Sequence, residues 1–271
     1  MVKKQFYANC IRASFVKCYE FNIHAWNDDN SSTAFFWIPS LRGICEDLIV
    51  LNYIQTIPAN TRDTLVSQLM LYEVQDRLKR QSAFFKASRP QQPVLQPKMT
   101  PHKLKALERI IQDIWRNNGW PNMNRNVIPP VQQMAEKHGG DVLVTLYDYM
   151  YRLTSGTVHF SVTGLLRSGW GNEMPHCKFS TANFSSYYRL FGRVYGAFMF
   201  CSYFELFPRF LRADRDTKAK IDKIRKGILT IPRWPEMVTP EEMNVDPPEI
   251  DFMRTMISIM QGATQKRLLK Q

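Results

Sequence analysis

Residues 141–160 read DVLVTLYDYMYRLTSGTVHF and follow directly after a Gly139-Gly140 pair. The two glycines predict a break in the chain, and Asp141 is a residue type that favours the start of a helix. Apolar side chains then recur at the three- and four-residue spacing that is typical of one helix face. We therefore expect a long helix that is capped by Asp141 and extends to His159.

The same helical spacing continues along the rest of the chain, and no alternating strand pattern bounded by hairpin turns occurs. The sequence therefore predicts an all-α fold, a helical bundle with proline-rich loops and an extended acidic C-terminal arm. We place further helices at 3–26, 34–57, 60–87 with Asn60 as its cap, 101–118 with Thr100 as its cap, 130–138, 182–212, 213–228 and 248–271.

The chain has two changes of character that suggest its organisation. Residues 89–101, RPQQPVLQPKMTP, contain four prolines and predict a loop that is either a solvated connector or part of a site. After Trp234 the chain becomes acidic and rich in proline. We expect a helical domain at 1–230, followed at 231–271 by an acidic extended arm and a terminal helix. By charge complementarity, this arm can cover a basic surface.

Composition narrows the class of protein. The chain has 36 Lys and Arg against 24 Asp and Glu, a net charge of +12 that attracts RNA, DNA or an anionic surface. Five widely spaced cysteines predict reduced thiols in a cytoplasmic protein. His176 and Cys177 are adjacent without CxxC partners, so we expect no metal site and no cofactor. The longest apolar stretch, 194–207, is too short to cross a membrane.

Close helix packing is predicted at Gly192 and Gly196, which lie four residues apart in the predicted helix 182–212. A second helix can approach closely over two glycines with this spacing. We interpret the pair as a site of packing within the chain, with a subunit interface as the alternative.

The chemically informative residues of 141–160 are Arg152 and His159. Seven steps of 100° place them on nearly the same helix face, about 10 Å apart. A histidine can exchange a proton near neutral pH, and an arginine holds phosphate through a planar fork of donors. The pair suits cleavage of an RNA phosphodiester without a metal ion, with His159 as acid or base and Arg152 stabilising the charge on phosphate.

Arg152, six intervening residues and His159 resemble the R-x(4-6)-H signature of the HEPN superfamily of helical nucleotide-binding and ribonuclease domains. The resemblance extends over residues 34–210 and includes SLRGICEDLIVLNYI at 40–54. It implies a homodimer in which two such segments form one composite, metal-independent endoribonuclease site, acting in bacterial defence or as a toxin. RNA is the implied partner, and a regulatory protein is a further candidate.

Several nearby residues are candidates for a supporting role. Arg42 and Glu46 lie one turn apart on the second helix, and Glu46 is a candidate ion-pair partner for Arg152. Ser155 and Thr154 either contact phosphate or form local helix hydrogen bonds. Of the tyrosines at 147, 149 and 151, not all can share one face, and we interpret most as core.

A second interpretation remains open. Here Arg152 is ion-paired, His159 completes a structural network, and the chain is a non-catalytic HEPN-like module that binds a protein or nucleic acid. Leu153 favours this alternative, because active members of the superfamily commonly have a polar residue directly after the arginine.

Overall fold

A computed structural model of the chain describes residues 5–28, 32–123, 126–159, 161–166, 168–170 and 178–236. The all-α class that the sequence predicts is confirmed. The helices are α1 (Phe6–Asn27), α2 (Trp37–Ile54), α3 (Ala59–Ser88), α4 (Pro101–Arg116), α5 (Val131–His138), α6 (Gly140–Val158), α7 (Val162–Leu166), α8 (Ser185–Leu206), α9 (Pro208–Leu211) and α10 (Arg215–Leu229).

Short elements complete the described chain. A 3-10 turn at Ala34–Phe36 leads into α2. Two antiparallel strands of two residues each, β1 (Gly169–Trp170) and β2 (Lys178–Phe179), pair with Gly169 opposite Phe179. Such short strands have no hydrophobic face of their own, so they do not change the fold class.

The predicted cap Asp141 lies inside α6, which begins at Gly140, so that cap is wrong. Two other predicted helix boundaries are wrong for reasons of proline chemistry. The third helix begins at Ala59 directly after Pro58, so Asn60 lies inside it and is not the cap. The predicted helix 182–212 is interrupted, since α8 ends at Leu206 and α9 begins at Pro208. Proline has no backbone N–H to continue the hydrogen-bond ladder of α8, but it is well tolerated at the first position of a new helix.

The chain folds into two compact units, each built from two stretches of sequence. The first takes the chain up to Ala13 together with Ile49–Val144, and the second takes Ser14–Leu48 together with the described chain from Thr145 onward. The described residues end at 236, so the predicted acidic arm from position 237 onward and the predicted terminal helix lie outside them. The division at residue 230 therefore stays a prediction.

The first unit has its core between α3 and α4. Leu107, Ile111 and Trp115 recur on one face of α4 and are buried, and the Trp115 indole donates to the Val127 carbonyl at 2.9 Å. The predicted cap is confirmed, because the Thr100 hydroxyl accepts a hydrogen bond from the Lys103 amide.

The proline-rich segment is a loop, as predicted, and it is attached to the first unit. The buried amide oxygen of Gln75 on α3 accepts hydrogen bonds from the backbone amides of Lys98 and Met99, at 3.0 and 3.1 Å. These bonds satisfy two donors of a segment that has no secondary structure of its own. The segment is therefore a tethered connector between α3 and α4.

The second unit is organised around α8. Its two glycines allow α1 and the start of α2 to approach closely: a Cβ at Gly196 would lie 2.6 Å from Phe21, and one at Gly192 would lie 3.0 Å from Trp37. Packing within the chain, which we inferred from the glycine spacing, is confirmed. On another side of α8, buried Val194, Ala197 and Cys201 pack with residues of α10.

Candidate functional site

The candidate site lies in the second unit, where Arg42 and Glu46 project from α2. Leu41, Ile44, Cys45 and Leu48 on the same helix are buried in the core. Arg42 and Glu46 occupy the partly exposed side, with 18% and 32% of their side chains exposed, and Arg42 Nε donates to Glu46 Oε1 at 2.8 Å. The predicted one-turn relationship is an ion pair that holds the guanidinium in a fixed orientation.

Helix α6 supplies the remaining side chains of the site. Leu146, Met150 and Thr154 form its buried face at spacings of four residues. Tyr147 and Tyr151 lie beside this face, with ring centroids 5.5 Å apart, and Tyr151 is 40% exposed. Tyr149 points elsewhere, and its hydroxyl donates to the Pro235 carbonyl. The prediction that the three tyrosines cannot share one face is confirmed. The interpretation of most of them as core is wrong, because Tyr147 and Tyr149 are only partly buried and Tyr151 is exposed.

Arg42 joins the two helices. Its guanidinium lies over the Tyr151 ring, 4.4 Å from the centroid, and its Nη1 lies 3.5 Å from His159 Nε2. Because a guanidinium can only donate, this contact requires a lone pair on Nε2 and places the ring proton of a neutral His159 on Nδ1. The arginine that touches His159 is therefore Arg42.

Arg152 has a different environment. Its Nε donates to Asp148 Oδ1 at 2.8 Å, one turn earlier on α6, and 76% of its side chain is exposed. Within the described residues, no hydrogen bond joins Arg152 to His159 or to Glu46. An i,i+4 pair of this exposure is held weakly, so Arg152 remains available to a phosphate ligand. The predicted Arg152–Glu46 ion pair is wrong because each residue has a nearer partner on its own helix.

The hydroxyl residues near the site differ in access. Thr154 is fully buried, and its hydroxyl donates to the Met150 carbonyl at 2.6 Å, so it cannot reach a bound phosphate in this conformation. Ser155 has a buried hydroxyl with no partner among the described residues. Its carbonyl accepts the His159 amide at 2.8 Å, which carries the helical hydrogen-bond pattern of α6 through to His159.

A close approach of two glycines fixes the chain around His159. A Cβ at Gly164 in α7 would collide with the carbonyl oxygen of Gly156 in α6. The Gly164 amide donates a hydrogen bond to the Ser161 hydroxyl at 3.1 Å. Only glycine at position 164 allows this approach of α7 to the end of the helix that carries His159.

Electrostatic interactions tie the site together. Partial burial lowers the Arg42 pKa, but the hydrogen bond and charge of Glu46 outweigh this effect and raise it overall. Burial raises the pKa of the Tyr147 phenol, and the Glu46 carboxylate raises it further. Asp148 raises the pKa of Arg152. Both arginines and Tyr147 therefore keep their protons across the physiological range.

The other predicted features lie outside this site. His24 packs edge-on against Trp37, and His138 packs in the same way against Tyr53. In the part of the chain that the structure describes, no three His, Cys, Asp or Glu side chains are grouped for a metal ion. His176 and Cys177 lie outside the described residues. No described helix is both long and apolar enough to span a bilayer.

Comparison with protein families places these residues in a defined context. A model of a family of unknown function, DUF5677, matches residues 38–174. The chain belongs to this family. The matched region contains Arg42, Glu46, Arg152 and His159, so the whole candidate site lies within the family's domain. No curated protein and no solved structure matches the chain.

Proposed function

We propose that this chain is a metal-independent endoribonuclease in which His159 exchanges protons and Arg42 and Arg152 bind phosphate. The observation that carries the proposal is the contact between Arg42 and the exposed His159. It brings a group that can accept a proton next to a fixed cation that can neutralise a phosphate.

The reaction that suits these groups is transesterification. The 2′-hydroxyl attacks the adjacent phosphorus, the bond to the 5′-oxygen breaks, and the products are a 2′,3′-cyclic phosphate and a 5′-hydroxyl. A neutral imidazole takes the proton from the 2′-hydroxyl, and an imidazolium gives one to the leaving oxygen. Arg42, which Glu46 holds in place, stabilises the charge that develops on phosphate in the transition state.

One histidine cannot be base and acid in the same step, so we propose that two copies of the chain supply the two groups. The HEPN resemblance of Arg152 and His159 supports this homodimer, because that superfamily builds composite sites from two such segments. It also supports a role in bacterial defence or as a toxin. The net charge of +12 is consistent with RNA as the substrate. A cytoplasmic location, expected from the scattered cysteines, belongs to the same proposal.

The experiment compares RNA cleavage by wild type and His159→Ala in EDTA. The matched control is His102→Ala, which removes an exposed histidine from α4 in the first unit. We expect wild type and the control to produce fragments with 2′,3′-cyclic phosphate ends, and His159→Ala to produce none. Equal cleavage by wild type and His159→Ala, or cleavage that EDTA abolishes, would rule the mechanism out.

A second candidate function is a non-catalytic module that binds a protein or nucleic-acid partner. The Arg152–Asp148 ion pair favours it, because this alternative predicts that Arg152 is ion-paired. Under this alternative a regulatory partner is retained by wild type and His159→Ala alike, and neither protein cleaves RNA. Pull-down from the native host, with both proteins at equal concentration, separates the two functions.

A further inference from the structure

An apolar stripe runs along the exposed face of α1 in the second unit. We define this outer stripe by its four large apolar side chains, Val16, Tyr19, Ile23 and Trp26. Each of them is 45–56% exposed, whereas Ile11, Cys18 and Ala25 on the opposite face of α1 are fully buried. A helix that is apolar on both faces is typical of one that is covered on both sides. The outer stripe therefore indicates a surface that a further element covers.

The spacing of the outer stripe indicates what kind of element this is. Its residues are separated by three, four and three positions, which is the spacing of the apolar seam between two packed helices. The element that fits is a second helix with an apolar seam of the same spacing.

The chain contains one such segment beyond the described residues. Residues 250–260 read IDFMRTMISIM and belong to the helix that the sequence predicts at 248–271. Their apolar residues include a set that repeats the spacing of three, four and three, Ile250, Met253, Ile257 and Met260. We propose that residues 250–260 dock as a helix on the outer stripe of the same chain, antiparallel to α1.

The last described residues are anchored on the unit that carries the outer stripe. The Trp234 indole donates to the Ile228 carbonyl at 3.2 Å, and the Pro235 carbonyl accepts from the Tyr195 hydroxyl at 3.2 Å. Residues 237–249 therefore start from a fixed point beside α8 and α10. When extended they reach up to about 40 Å, more than the length of α1, which is about 33 Å. The connection is long enough for the proposed docking.

The charge of the chain favours a path over α10. Phe200 of α8 contacts Tyr19 of α1, with ring centroids 6.4 Å apart, and also packs against the core that α8 shares with α10, so α10 lies beside α1. Exposed lysines line α10, at Lys218, Lys220, Lys223 and Lys226. From Glu236 to Met253 the chain has six acidic residues and no Lys or Arg. Opposite charges attract the acidic connection to α10 and bring residues 250–260 next to the outer stripe.

Glu20 gives the docking its direction. This exposed carboxylate follows Tyr19 at the edge of the outer stripe and has no ion-pair or hydrogen-bond partner within the described residues. Antiparallel docking brings Arg254, which follows Met253 in the same way, beside Glu20, whereas parallel docking brings Glu249 there. The antiparallel arrangement of two copies of α1 would instead place two Glu20 carboxylates together. Charge therefore favours residues 250–260 over a second copy as the occupant.

The first test is formation of a disulfide between Ile23→Cys and Met253→Cys, which the antiparallel arrangement places opposite each other. The full chain also carries Cys10→Ser and Cys177→Ser and is oxidised with copper phenanthroline at low protein concentration. We expect a crosslink within the chain to form at least about tenfold faster than in the matched control, Val162→Cys with Met253→Cys. Val162 on α7 is also exposed. A crosslink no faster than in the control, or one that joins two chains, would overturn the proposal.

The second test reverses charges in the crosslinking protein. Glu20→Arg should slow disulfide formation about two- to fivefold, because two cations then face each other across the seam. Adding Arg254→Glu to the same protein should restore the original rate. A double reversal that reacts no faster than Glu20→Arg alone would contradict the antiparallel pairing. Far-UV spectra of all variants establish that α1 and the remaining helices are intact.

Discussion

Asn22 and Gly196 join α1 to α8 in the second unit: the Asn22 side-chain amide donates to the Gly196 carbonyl at 3.0 Å. The same Asn22 amide also donates to the Cys18 carbonyl at 2.8 Å within α1. A backbone carbonyl inside a helix normally accepts the hydrogen bond of that helix alone. The Gly196 carbonyl can also accept from Asn22, because no side chain at position 196 stands in the way.

Gly196→Ala should therefore destabilise the protein. The added Cβ would lie 2.6 Å from the Phe21 ring, which has to move in a packed interior, and such overpacking costs about 1–3 kcal/mol. Chemical denaturation gives the free energy of unfolding.

The matched control is Gly227→Ala in α10, where a Cβ meets nothing within 4 Å. Alanine is the better helix former, so the free energy of unfolding of this variant should rise by about 0.5–1 kcal/mol. If the two variants changed stability by the same amount and sign, helix propensity and not close packing would explain Gly196.

Arg42→Lys should lower the rate of RNA cleavage by about 10- to 100-fold with little change in fold. Lysine keeps the positive charge but loses the planar fork that contacts Glu46, Tyr151 and His159 together. Single-turnover cleavage and a far-UV spectrum are the measurements. A rate equal to that of wild type would show that a point charge suffices and that the orientation of Arg42 has no role.

Asp148→Asn should strengthen RNA binding, by about two- to fivefold at low salt, because it removes a repelling carboxylate and frees Arg152. The melting temperature should stay the same, since exposed ion pairs add little to stability. Fluorescence anisotropy of labelled RNA, measured at a series of salt concentrations, gives the increase in affinity and its decline with ionic strength. Weaker binding in this variant would mean that Asp148 positions Arg152 for its ligand.

The stability of α10 should depend on pH through Asp214. Its carboxylate caps the helix by accepting from the Thr217 amide at 2.7 Å, and hydrogen bonds from the Thr217 side chain and from this amide lower the Asp214 pKa below its ordinary range. A lowered folded-state pKa adds stability above the unfolded-state value, and that stability is lost as the pH falls through the folded-state value. Melting curves of wild type and Asp214→Asn should differ at neutral pH and converge in acid.

Local chemistry made much of this fold predictable. The Thr100-Pro101 start of α4, the proline loop after α3 and the glycine pair of α8 each depend on a few neighbouring residues. Where a prediction failed, a stronger local rule had been overlooked. Pro58 and Pro208, and not Asn60 or the apolar run before Phe207, set the ends of the helices nearby.

The site was predictable only in part, because helical spacing shows which residues share a face and not what packs beside them. Helical spacing predicts the Arg42–Glu46 ion pair. The same i,i+4 spacing also relates Asp148 to Arg152, and our sequence-based predictions did not use it. The contact of Arg42 with His159 joins residues 117 positions apart and arises from tertiary packing. The contact of Arg42 with the Tyr151 ring also depends on tertiary packing, because the two residues lie on different helices.

The cysteines give the chain a point of attachment for a probe. Cys18, Cys45 and Cys201 are buried, and burial raises the pKa of their thiols to about 12, about 12 and about 11 respectively. Cys10 is exposed on α1. Thiol reagents attack the accessible thiolate. A maleimide dye on a Cys177→Ser background should therefore label Cys10 selectively, which makes distance measurements by fluorescence energy transfer feasible without rebuilding the interior.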